Sequence, residues 1–256
     1  MQPLHTPKSV LSMRHFPSWI LLASAAGCVN AIGFFACARF VAHVSGNATS
    51  FGTGMAALDV AEDYGLVLLC FILGAMLGGT LIDGRNQQKR KPLYALPLLL
   101  VVVMLCTVAT MGILGVFGEF SGSVDGIHDL IFVAMLAFAM GLQNSSVASS
   151  TGLMVRTTHM TGPATDLGVQ LATALHAQGD ARKMALKQAL LRFTKIASFT
   201  TGAALGVPLA MFMKYGAFFV PAAFVLVATV ASFLPRTAAD APEGFTGTAK
   251  PARDAA

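Results

Sequence analysis

Two stretches carry side chains able to hold a ligand or a proton in a chain otherwise dominated by apolar residues. They are His43-Val44-Ser45-Gly46-Asn47-Ala48-Thr49 and His159-Met160-Thr161-Gly162-Pro163-Ala164-Thr165. Each sets a histidine two residues before a hydroxyl and three before a glycine. Imidazole takes or releases a proton near neutral pH. Each break is followed by a short helical pattern, whose first backbone N–H groups have no partner within the helix. Such a start carries a partial positive charge and suits an anion. Gly162-Pro163 predicts a cap with proline at the first helical position. Thr49, Thr165 and Asp166 are expected early in these helices, where side-chain oxygens satisfy orphan donors.

The candidate substrate site is therefore His43, Ser45, Gly46, Asn47, Thr49, His159, Thr161, Gly162, Thr165 and Asp166, joined by Asn30 and Asn144 at the ends of apolar runs. Polar side chains inside membrane spans point to a site. The histidines read as ligand or proton contacts, the asparagines as amide dipoles and Asp166 as a charged partner. The alternative is that these groups only satisfy one another's hydrogen bonds and hold two kinks.

Other chemistries lack their parts. A zinc or iron centre needs three convergent ligands, so no metal site is assigned. Ser45 and Thr161 stand near a histidine, but an activated nucleophile also needs a third, orienting group. There is no Gly-x-Ser-x-Gly and no His-Glu-x-x-His. No catalytic residue is assigned, and the chain is not read as an enzyme. A nucleotide-binding loop is also missing, and no cofactor is implied. The four cysteines, Cys28, Cys37, Cys70 and Cys106, lie in or beside apolar runs without a Cys-x-x-Cys pair and read as small buried hydrophobes.

The elements that must position these groups are membrane helices. The chain of 256 residues is 55% hydrophobic and only 11% charged, with a mean hydropathy of +0.69. Soluble domains carry about 25% charged residues. A helix crosses a bilayer core with about 20 apolar residues. Spans are expected over 19–35, 65–82, 93–117, 130–147, 193–213 and 216–234, with short helical pieces over 47–58 and 165–176. The run ending in Ala36-Cys37-Ala38 resembles a signal-peptidase site, but is longer than a usual signal core. It reads as a retained span, with Trp19 as a headgroup-level anchor.

The net charge is +5. The basic residues flank apolar runs, as cytoplasmic loops do, so no nucleic-acid partner is expected. Lys and Arg collect in the lead, at 85–91, at 182–195 and beyond Arg236, while 59–63 and 119–129 carry only acids. Six crossings with both termini inside put every basic cluster in the cytoplasm. The pieces after the breaks must then re-enter or lie along the rim.

The halves share three signatures in one order. Gly27-Cys28-Val29-Asn30 answers to Gly141-Leu142-Gln143-Asn144, the two breaks answer to each other, and Phe71-Ile72-Leu73-Gly74 answers to Phe199-Thr200-Thr201-Gly202. Three crossings per half invert the second copy, the arrangement of many secondary transporters. Gly74/Gly78 and Gly202/Gly206 read as close helix contacts. Taken together, these motifs resemble the YoaK family of bacterial inner-membrane proteins over 19–234. The resemblance implies a small multi-pass protein of that membrane and supplies no substrate. Pro163 stands where the family pattern has asparagine, as at Asn47.

The resulting reading is all-α, a polytopic membrane protein of six transmembrane helices in two inverted three-span repeats, each with a broken or re-entrant segment. A cytoplasmic lead occupies 1–17, the first repeat 18–118, the second repeat 128–234 and a disordered cytoplasmic tail 235–256. The expected partners are the lipid bilayer and a small solute that the sequence does not specify, with a homo-oligomer left open. A secondary transporter or facilitator fits first. A non-transporting membrane scaffold or sensor is the other class.

Overall fold

The first apolar run folds as helix α1, Phe16–Cys37, which stops where Ala38 turns into the left-handed region at φ +53°. The computed structural model describes residues 16–55, 58–122, 126–153 and 155–233. The helices that follow are α2 (Val44–Gly54), α3 (Leu58–Gly79), α4 (Ala95–Ile113), α5 (Ile127–Ser150), α6 (Thr161–His176), α7 (Gly179–Met213) and α8 (Phe219–Phe233). A π-helical turn at Thr80–Gly84 and a short turn at Arg85–Gln87 prolong α3, and a 3₁₀ turn at Lys214–Phe218 joins α7 to α8. There is no strand among the described residues. Apart from Phe16 and Pro17, the lead expected over 1–17 lies outside the described residues, as does the tail expected over 235–256.

Among the described residues, five helical stretches are long and apolar enough to cross a membrane: Pro17–Cys37, Glu62–Gln87, Ala95–Ile113, Ile127–Ser150 and Gly179–Ser232. The last contains the turn at Lys214, whose φ is +50°. Helices apolar on all sides are buried in a larger core or a membrane. Here α1 and α5 fill the centre, with Ala25, Cys28, Val29, Leu136 and Met140 wholly enclosed. The outer helices α3, α4 and α7 instead expose large apolar side chains such as Ile72, Met76, Val103 and Phe212. That is the surface lipid would cover.

Two expected loops are helical. The acids expected as a loop at 59–63 fall in the first turns of α3, where carboxylates favour a helix start. The basic linker at 182–195 is continuous with the following span in α7. No glycine or proline interrupts residues 180–201, and Ala, Leu, Lys, Arg and Gln are good helix formers. The short piece expected from Thr165 begins earlier, at Thr161, and that expected over 47–58 runs Val44–Gly54.

The packing has a twofold pattern. The principal pairs are α1 on α7 and α3 on α5, then α2 on α3, α6 on α7, α1 on α8, α4 on α5 and α4 on α8. Exchanging α1–α4 with α5–α8 returns the same set. The two main pairs meet through glycine. A Cβ on Gly27 would stand 2.0 Å from the Phe199 carbonyl oxygen, and one on Gly202 2.0 Å from that of Ser24. A Cβ on Gly141 would stand 2.0 Å from the Phe71 oxygen, and one on Gly74 2.1 Å from that of Phe138. Small residues let helix backbones approach this closely, so dispersion acts along the whole seam, and between α1 and α7 the Ser24 hydroxyl also donates to the Ser198 carbonyl at 3.1 Å. Gly78 and Gly206 are also in these seams, against Ser145 Oγ and the Cys28 oxygen.

Candidate functional site

Each break is clipped to the span before it by an asparagine. Asn30 lies three residues after Gly27, and Asn144 three after Gly141, so each pair shares a helix face. The glycine presses on the neighbouring helix and the asparagine reaches the broken backbone. The Ala42 N–H donates to Asn30 Oδ1 at 3.1 Å, and the Thr158 N–H donates to Asn144 Oδ1 at 3.2 Å. Both N–H groups belong to the residue immediately before the break's histidine. The second break turns through Gly152 and Leu153, both at positive φ, and Thr151 Oγ1 accepts from the Val155 N–H at 3.1 Å.

The histidine-to-glycine spacing also has a physical cause. Each ring folds back onto the glycine three residues later. A Cβ on Gly46 would stand 2.5 Å from His43 Nδ1, and one on Gly162 2.6 Å from His159 Nε2. In the second break the Gly162 N–H donates to His159 Nε2 at 3.2 Å, so the ring satisfies one of the orphan donors at the start of α6. That nitrogen carries no proton while it accepts. Desolvation, then the charges of Lys195 and Arg156, push the His159 pKa below its ordinary value, and Asp166 pulls the other way.

The two breaks face one cavity of about 780 Å³. Asn30, His43, Ser45, Asn144, His159 and Thr161 all line it. Phe40, Phe71 and Phe199 supply apolar wall, and Arg156 supplies a cation. Phe71 and Phe199 are the residues whose carbonyls receive Gly141 and Gly27, so the seams and the cavity share backbone.

The remaining predicted site residues are elsewhere. Gly46 lies beneath the His43 ring. Asn47 is buried and donates through Nδ2 to the Phe40 carbonyl at 2.9 Å, holding the break to its helix. Thr49 and Thr165 do not cap with their oxygens as expected. Their hydroxyls donate to the carbonyls four residues back, Ser45 at 3.0 Å and Thr161 at 3.1 Å, the usual bond of threonine inside a helix. Gly162 and Asp166 line a second, smaller cavity, where Asp166 pairs with Arg192 Nε at 3.1 Å.

The cap expected at Gly162-Pro163 is shifted. The Ala164 N–H already bonds the Met160 carbonyl at 3.0 Å, so Pro163 is the third helical residue, not the first. Its missing N–H costs nothing there, since the first turn's donors lack helical partners anyway. Proline cannot repeat the bond that Asn47 makes in the other half. Among the described residues, no three His, Cys, Asp or Glu side chains gather as a metal centre would require.

Sequence reasoning missed Arg156, Phe71 and Phe199 as wall residues. Arg156 had a signal: no charge precedes it back to Asp129. The fold and the two clipped breaks define an all-helical protein with apolar helices compatible with a membrane. The chain belongs to the family described as protein of unknown function (DUF1275), whose profile matches residues 18–231, in keeping with the YoaK resemblance. No curated protein and no solved structure matches it.

Proposed function

We propose that the protein is a secondary transporter or facilitator of a small solute in the bacterial inner membrane, with its site in the cavity between the breaks. The observation that carries this reading is the convergence of Asn30, His43, Asn144 and His159 on one cavity from two distant parts of the chain. Irregular backbone at membrane depth is tolerated against protein or a water-filled space. The asparagine oxygens are used by the clips, which leaves the amide N–H₂ groups without a protein partner among the described residues. Ser45 Oγ is likewise without one. These donors, beside phenylalanine rings, suit a small solute that offers hydrogen-bond acceptors and some apolar surface.

Six crossings in two inverted halves fit this reading. With 11 and 16 residues, α2 and α6 reach about 16 and 24 Å, short of a core of about 30 Å. Neither then counts as a crossing, the turn at Lys214 divides the last long stretch, and both termini lie in the cytoplasm by the positive-inside rule. The twofold packing pattern supports related halves.

The test is flux into proteoliposomes across a panel of amino acids, carboxylates, sugars and inorganic ions. A solute carried by the wild type should no longer be carried by His43→Ala or His159→Ala at equal membrane levels. Unchanged flux in both variants would remove the shared site. If no solute moves, and a deletion strain accumulates solutes normally, the scaffold or sensor reading takes its place.

A further inference from the structure

Beside the central cavity lies a smaller one of about 220 Å³, walled by the start of α6, the middle of α7 and the first turns of α1. Its polar lining is unbalanced: Arg156, Arg192 and Lys195 face a single carboxylate, Asp166. We propose that this cavity is an oxyanion site, taking a phosphate- or carboxylate-bearing group on Arg156, Arg192 and Lys195.

Two of the cations are positioned without being used up. Arg192 gives Nε to Asp166 at 3.1 Å, and Lys195 gives Nζ to the His159 carbonyl at 2.7 Å. A guanidinium has five N–H donors and an ammonium three, so both keep donors to spare. Arg156 makes no hydrogen bond or ion pair among the described residues, and it lines both cavities. Arg156 is exposed, so its guanidinium keeps all five N–H donors open to an anion entering the cavity. Thr157, also in this wall, is buried, and its Oγ1 has no hydrogen-bond partner among the described residues. The start of α6 adds its partial positive charge from the same side.

The one repulsive element is Asp166, which its bond to Arg192 neutralises in place. Trp19 and Ile20 provide an apolar flank. The anionic group could therefore come from solution or from the headgroup of an anionic lipid. Both present oxygens in the geometry that arginine recognises through paired bonds. The proposal holds whether or not the central cavity carries a solute.

The experiment is binding to purified full-length protein in a neutral detergent. The probes are inorganic phosphate and short-chain phosphatidylglycerol, with short-chain phosphatidylcholine as the uncharged control. Titration calorimetry gives affinity, and thermal shift gives an independent reading. Arg156→Gln, which breaks no hydrogen bond or ion pair among the described residues, should weaken binding by about tenfold or more, the worth of one charge-assisted bond. Lys195→Met should do the same, and Lys214→Gln, at the far end of α7, should not. Binding of phosphate assigns a soluble anion. Binding of phosphatidylglycerol without phosphate assigns a lipid headgroup. Binding of neither probe, or binding that Arg156→Gln and Lys195→Met leave unchanged, overturns the proposal.

Discussion

Replacing Gly141 by alanine tests the glycine seams directly. The new Cβ would begin 2.0 Å from the Phe71 carbonyl oxygen and 2.8 Å from its carbon. Carbon and oxygen rest at about 3.3 Å, so the gap is short by roughly 1.3 Å. The obstruction is backbone inside a helix, so no rotamer change relieves it. The α3–α5 pair has to part, and the packing lost along the seam outweighs the gain of about 1 kcal/mol that alanine brings to a helix interior. Overpacking of this kind costs about 1–3 kcal/mol, and a backbone obstruction belongs at the top of that range. The matched control is Gly168→Ala in α6, where an added Cβ meets nothing within 4 Å. It should be neutral or stabilising by up to about 1 kcal/mol. Thermal unfolding in detergent, followed by intrinsic fluorescence and gel filtration, compares the two. Gly27→Ala should behave as Gly141→Ala does, because its contact with Phe199 is the same contact in the other half. Equal melting temperatures for Gly141→Ala and Gly168→Ala would mean that the Phe71 carbonyl does not obstruct the added Cβ.

Three further outcomes follow from the site. Asn30→Ala and Asn144→Ala should each lower stability by about 1 kcal/mol, as a lost partly buried hydrogen bond does, and should speed amide exchange at Ala42 and Thr158 respectively. His159 should make stability pH-dependent. Its folded pKa is depressed, so the unfolded chain takes up the proton first as pH drops below about 6.5. The stability it contributes is full above that value and is lost as pH falls through the lower folded pKa. Melting temperatures from pH 8 to 5 should show this, and His159→Gln should flatten the slope. A single cysteine at Lys89 should react with an impermeant thiol reagent only after the membrane is opened, and labelling of intact cells would contradict the six-span topology.

Much of the architecture was legible because membrane helices announce themselves by length and apolarity. The runs at 19–35, 93–117 and 130–147 each hold a helix at nearly the expected place. The repeated Gly-x-x-Asn also had a readable cause, since three residues return to the same helix face. What composition hid was continuity. Charges at 182–195 look like a loop, yet charged residues with good helix propensity simply carry α7 beyond its apolar part. The π turn at Thr80–Gly84 had no counterpart in the expected elements, which placed only an apolar span there.

The candidate site was half legible. Histidine, serine and asparagine marked the cavity, and Asn47, Thr49 and Thr165 looked equally chemical. The difference lies in which way each helix turns its side chains, and hence in bonds to Phe40, Ser45 and Thr161 that no spacing reveals. Arg156 and Lys195 were visible as charges, but their place beside the second break depends on how α7 packs on α6.

A shared site requires that the two breaks open into one space. The direct measurement is cross-linking of a Ser45→Cys, Thr161→Cys pair, in a chain with its native cysteines replaced, by short bifunctional thiol reagents in native membranes. Both residues line the cavity, so a cross-link within one chain is predicted. A pair that reacts singly with every reagent, yet is never bridged, would contradict it.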